Sequence, residues 1–103
     1  MPYAVVTSLQ HGEFIDGPVF TVGDVARACG VSPDWVQARV EADVLRVDVV
    51  SGAWRFDSVA LVRARRVAQL EATFDADPQL AALTADLIEE VTSLRRRLSA
   101  LGV

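Results

Sequence analysis

The sequence predicts a mainly α fold: a winged helix-turn-helix with a small β-hairpin wing and a C-terminal coiled-coil helix. Three observations predict it. Two short capped segments stand either side of a tight turn in residues 20–41, two β-rich runs flank Ser51-Gly52, and apolar residues recur at intervals of four and three from Leu80 to Leu101. At 103 residues and 51% hydrophobic, the chain suits one compact domain with an appended helix. The expected division is an N-terminal arm over 1–18, the winged domain with its third helix over 19–76, and a dimerisation helix over 77–103.

In the arm, Tyr3, Val5 and Val6 favour extended structure, and Phe14 and Ile15 can return as a second strand across a turn at His11-Gly12. Two short strands alone are marginal, so an unstructured arm is the equal alternative. Thr21 can cap the first helix, with Asp24 as reciprocal partner in a capping box and Gly30 as the left-handed stop. Val22, Val25, Ala26 and Cys29 then share its inner face. Ser32 caps the second helix, Pro33 fits its first turn, and Asp34 suits the positive end of its dipole. Val36 and Val40 point to the same core. Trp35 lies one position off that stripe, either covering the core's rim or standing outward as a contact for a partner.

The runs over 45–50 and 53–56 make the wing, with Trp54 and Phe56 on one face and Arg55 on the other. Asp57 caps a third helix whose expected buried face is Ala60, Ala64, Val67, Leu70 and Phe74. Arg63, Arg65 and Arg66 fall elsewhere around it, on a solvated face or, less simply, as phosphate contacts. Asp77 and Pro78 restart the chain as a fourth helix. In it Leu80, Leu87, Leu94 and Leu101 occupy d positions and Thr84, Val91 and Leu98 occupy a positions. Such a helix runs about 35 Å, longer than one side of the core requires. The expectation is self-pairing into a homodimer, with Glu90 facing the partner's Arg95 if the pair is parallel. An antiparallel pair, or a helix folded back on its own domain, satisfies the same pattern.

Charge bears directly on function. Ten arginines and no lysine oppose fourteen acids, a net charge of −4. Within residues 20–57 four arginines face six acids, the wrong sign for neutralising phosphates. Nucleic acid is therefore not the expected partner. One cysteine and one histidine cannot build a four-ligand zinc site, and no nucleophile–base pair or glycine-rich phosphate loop is present. No cofactor and no catalysis are expected. Cys29 reads as a small packing residue and His11 as a loop residue. With no bilayer-length apolar run and no signal-like start, the expected location is the cytoplasm.

The stretch FTVGDVARACGVSPDWV, followed by GAWRFDSVALVRARRV and a terminal coiled coil, resembles the MerR-like superfamily. Where that superfamily reads DNA it usually carries arginine with aromatics in the second helix and then Gly-Leu-Leu; here stand Gln37-Ala38-Arg39 and Asp43-Val44-Leu45. The departures, the acidic balance and the short length are similar to the chaperone-modulator family of the CbpM type. The residues that match are the Phe20-Thr21 start, the Val31-Ser32 turn, Trp54, Phe56 and Asp57 at the wing's end, and the LIEEVTSLRRRL tail.

That resemblance implies a homodimer that binds the J-domain of a DnaJ/CbpA-like co-chaperone and inhibits its stimulation of Hsp70. The candidate contacts fall in two acidic patches: Asp34, Glu41, Asp43 and Asp48 with Trp35 as anchor, or Asp75, Asp77 and Asp86. Two other readings remain. A MerR-type DNA-binding regulator would use Arg39, Arg55 and the third-helix arginines, and a dimerisation subunit would have some other partner.

Overall fold

The fold is a computed structural model describing residues 17–75 and 77–102. The arm's possible strands and His11 lie outside those residues. Among the described residues four helices and one hairpin follow in order: α1 (Val22–Cys29), α2 (Pro33–Glu41), β1 (Asp48–Val50), β2 (Ala53–Arg55), α3 (Ser58–Phe74) and α4 (Pro78–Ala100).

Local chemistry sets nearly every helix boundary. Thr21 Oγ1 accepts from Asp24 N–H at 3.1 Å while Asp24 Oδ2 accepts from Thr21 N–H at 3.0 Å. Those reciprocal bonds satisfy two donors that the first turn would leave orphaned. Gly30 ends α1 at φ 69°, where a Cβ would be strained. Ser32, Asp57 and Asp77 cap α2, α3 and α4, with Pro33 and Pro78 in the first turns of α2 and α4. The sequence places all four caps correctly.

The wing is shorter than expected, because Leu45 and Val47 leave the ladder and plunge into the core at 0% and 2% exposure. Its loop, Ser51-Gly52, has φ of 51° and 77°, the positive pair that matches a hairpin's twist. Phe56, fully buried, exchanges backbone hydrogen bonds of 2.7 and 2.8 Å with Phe20. This bridge fastens the chain's entry to the exit of the wing.

The main core comprises Val25, Ala26, Val36, Val40, Leu45, Val47, Phe56, Ala60 and Ala64. A second, smaller cluster joins Val67 of α3 to Ala81 and Ala85 of α4, with Trp35 and Val44 packed against it. Two expectations for α3 need correction. Phe74 is 71% exposed, because the last turn of α3 projects beyond the core that Ala60, Ala64 and Val67 cover. Arg63 is not on a solvated face: its side chain is 17% exposed and reaches across to α4.

Candidate protein-interaction surface

Arginine chemistry organises the region where α2, α3 and α4 meet. Arg39, in the last turn of α2, donates from Nε to Glu71 Oε2 at 2.9 Å and from Nη2 to Glu71 Oε1 at 2.7 Å. The same Oε1 accepts from Trp35 Nε1 at 3.0 Å, and the Arg39 guanidinium stacks 4.5 Å from the Trp35 ring centre. Both charged side chains are only 14% exposed. A bidentate, stacked, shielded pair of this kind holds α2 to the C-terminal half of α3. Trp35 thus takes the rim position, half-buried with its polar edge engaged, and Arg39 faces inward.

Arg63 forms the second node. Its Nε donates to Val44 O at 2.6 Å, its Nη1 to Glu89 Oε2 at 2.9 Å, and its Nη2 pairs with Asp86 Oδ1 at 2.9 Å. One side chain on α3 therefore ties the exit of α2 to the middle of α4. Arg55 donates to its neighbour's carbonyl, Trp54 O, at 3.0 Å. Arg27 pairs with Asp24 on the surface of α1.

The candidate acids fall into three groups. Asp34 and Glu41 are exposed on α2, and Asp48 is half-buried in β1 opposite Arg55. Burial, reinforced by the nearby Asp57 charge, raises the Asp48 carboxyl above its ordinary pKa. Asp75 and Asp77 are exposed at the α3–α4 turn, where Asp75 holds a left-handed φ of 49° and Asp77 caps α4. Asp43, left-handed at φ 65°, and Asp86 line one groove of about 280 Å³, together with Ala42, Val44, Pro78, Ala82 and Leu83. The two patches that are separate in sequence thus meet at Asp43 and Asp86.

The dimerisation candidates form an exposed stripe along α4. Leu80, Leu87, Val91, Leu94, Leu98 and Leu101 are 44–77% exposed, while Ala81 and Ala85, at 1% and 0%, dock the other side of the helix on α3. The helix folds back on its own domain through small residues and still leaves its leucine seam uncovered.

Sequence reasoning missed Glu71 and Glu89, whose roles depend on partners 32 and 26 positions away. No local spacing signals such pairs. Cys29 is half-buried, and burial pushes its thiol pKa up more than nearby Arg65 draws it down, as suits a packing residue. Among the described residues no group of three or more His, Cys, Asp or Glu side chains could hold a metal ion, and no helix is long and apolar enough to cross a membrane.

No curated protein and no solved structure matches the chain. A family model described as MerR HTH family regulatory protein does match it, over residues 20–102. The matched span begins at the Phe20 bridge and takes in the helix-turn-helix, the wing, α3 and the whole of α4. By that match and by its fold, the chain belongs to the MerR HTH family of regulatory proteins.

Proposed function

We propose that this family member is a chaperone modulator: a homodimer, paired through α4, that binds the J-domain of a DnaJ/CbpA-like co-chaperone and inhibits its stimulation of Hsp70. The observation that carries the reading is the engagement of Arg39. A DNA reader needs cations projecting from its second helix, yet the one arginine there is chelated by Glu71 and stacked on Trp35. What α2 offers outward is Asp34, Gln37, Ala38 and Glu41. That face is acidic, and the partner that the resemblance implies would meet it with the basic, Hsp70-facing helix of its J-domain. Opposite potentials speed encounter and disfavour nucleic acid as a competitor. The uncovered seam of α4 supports a dimer that presents two copies of this face.

Calorimetric titration into a purified J-domain from the same source tests the reading. A saturable complex that weakens as salt rises is expected, together with inhibition of J-domain-stimulated ATP hydrolysis by Hsp70. Absence of binding at low salt, with retention on a DNA column under the same conditions, would favour the DNA-binding reading instead.

A further inference from the structure

We propose that the cleft between the first half of α3 and the second half of α4 binds a small amphipathic anion, an aliphatic chain ending in a carboxylate or phosphate. The site is separate from the J-domain reading and does not depend on it.

The two helices meet closely where Ala81 and Ala85 pack on Val67, and Arg63 ties them again one turn further on through Asp86 and Glu89. Beyond that tie an open cleft of about 470 Å³ lies between them, a volume within the range of small-molecule sites. Val59 and Val62 give it an apolar wall, and the chain's own domain leaves them 76% and 54% exposed. Hydroxyls line it from Ser58, Thr92 and Ser93, and charge comes from Arg66 and Arg96.

Charge then selects the occupant. Three arginines and one glutamate line the cleft, a surplus of two positive charges. Glu89 is taken up by Arg63, whereas the side chains of Arg66 and Arg96 have no hydrogen-bond or ion-pair partner among the described residues. The sequence explains their freedom, because no acid stands three or four residues from either on its own helix. Helical side chains lean toward the helix N-terminus, and α3 and α4 run antiparallel, so Arg66 and Arg96 lean toward one another across the cleft that both line. Two guanidinium groups facing one space suit the oxygens of a carboxylate or phosphate, and the valines beside them suit an aliphatic tail. A long polyanion is a poorer occupant. The chain as a whole carries −4, and only a small anion meets the arginines without running past the acids.

Dimerisation leaves the cleft open. Thr92, Ser93 and Arg96 occupy b, c and f positions of the heptad, away from the a and d seam.

The test is an amide chemical-shift titration of the full-length protein with octyl phosphate and with octanoate. Octylamine, which has the same tail and the opposite charge, and inorganic phosphate, which has no tail, are the comparisons. Both oxyanions should give saturable shifts centred on residues 58–66 and 89–96. Inorganic phosphate and octylamine should each bind weaker on the order of ten-fold or more, the first for want of apolar burial and the second for its charge. Arg66→Gln and Arg96→Gln should each weaken octyl phosphate binding roughly five- to ten-fold, and Val62→Glu, which sets a like charge against the anion, at least that much. Arg27→Gln, on the surface of α1, should stay within about two-fold. Octylamine binding as tightly as octyl phosphate, shifts that follow the leucine seam instead of the cleft, or affinity unchanged in both arginine variants would overturn the site. Shifts in the cleft with a poly-glutamate peptide but not with octyl phosphate would overturn it too, and would give this face to an acidic protein.

Discussion

Glu71→Ala removes an acceptor that serves three donors at once. Trp35 Nε1 and the Nε and Nη2 atoms of Arg39 approach its oxygens at 2.7–3.0 Å, with Arg39 and Glu71 each 14% exposed. Truncation leaves a shielded guanidinium and an indole N–H without their acceptor. Breaking a buried pair by deleting one partner costs roughly 3–5 kcal/mol. Residual water access at this site places the loss near the lower end, about 3 kcal/mol. For a domain of this size that corresponds to a fall in Tm of roughly 12–24 °C. Glu71→Gln, which keeps an acceptor and the packing but loses the charge, should cost about half as much. Urea unfolding followed by far-ultraviolet circular dichroism and tryptophan fluorescence gives both values. A loss under about 1 kcal/mol for the alanine variant would show that the pair is incidental and that α2 is held by Val36 and Val40 alone.

Three further outcomes follow from the same geometry. Leu94→Asp puts a charge into the centre of the α4 seam, where Leu94 is 44% exposed in the single chain; sedimentation should show monomers with unchanged helicity, and a persisting dimer would place the interface elsewhere. Asp48 has a raised pKa in the fold, so its stabilising contribution is full below the unfolded value of 3.8 and is lost as pH rises through the folded value. Asp48→Asn should therefore raise the urea midpoint at pH 7 and lose that advantage below pH 4. Asp24 behaves oppositely: hydrogen bonds from Thr21, foremost the backbone N–H, hold its carboxyl below 3.8, so its contribution is present above that value and fades as pH falls through the folded one. Asp24→Asn should flatten this part of the stability profile between pH 5 and pH 2, and an unchanged slope would remove the capping box as its cause.

The parts legible in the sequence are those whose partners lie within four residues. Thr21 with Asp24, Ser32 with Trp35, Asp57 with Ala60 and Asp77 with Gln79 all close locally, and the hairpin follows from Ser51-Gly52. The heptad is legible because it repeats. What periodicity concealed is that α4 has two apolar sides: leucines mark the seam so strongly that Ala81 and Ala85 pass as filler, yet small residues allow α3 to approach. Phe74 fits the apolar spacing of α3 but lies beyond the core's reach, which no periodicity reports. The candidate groove was legible only as two unranked patches, because Asp43 and Asp86 meet through the antiparallel return of α4.

The engagement of Arg39 also weighs against α2 serving as a phosphate-binding helix, as the proposed function requires. For α2 to offer Arg39 to a phosphate, the side chain must leave Glu71 and the Trp35 ring, at a cost of about 3 kcal/mol. An exposed ion pair returns about 0–1 kcal/mol, and counterion release adds only a modest further gain from one contact at physiological salt. The exchange is unfavourable, and the exposed Asp34 and Glu41 on the same helix make it more so. Glu71→Ala should then have a second effect besides loss of stability. By releasing Arg39 and removing one acid it should raise the salt concentration at which the protein elutes from heparin, measured at a temperature where the variant is folded. Equal elution of the two proteins would mean that Arg39 is not what restrains the helix, and any aversion to phosphate would have to come from the acidic face alone.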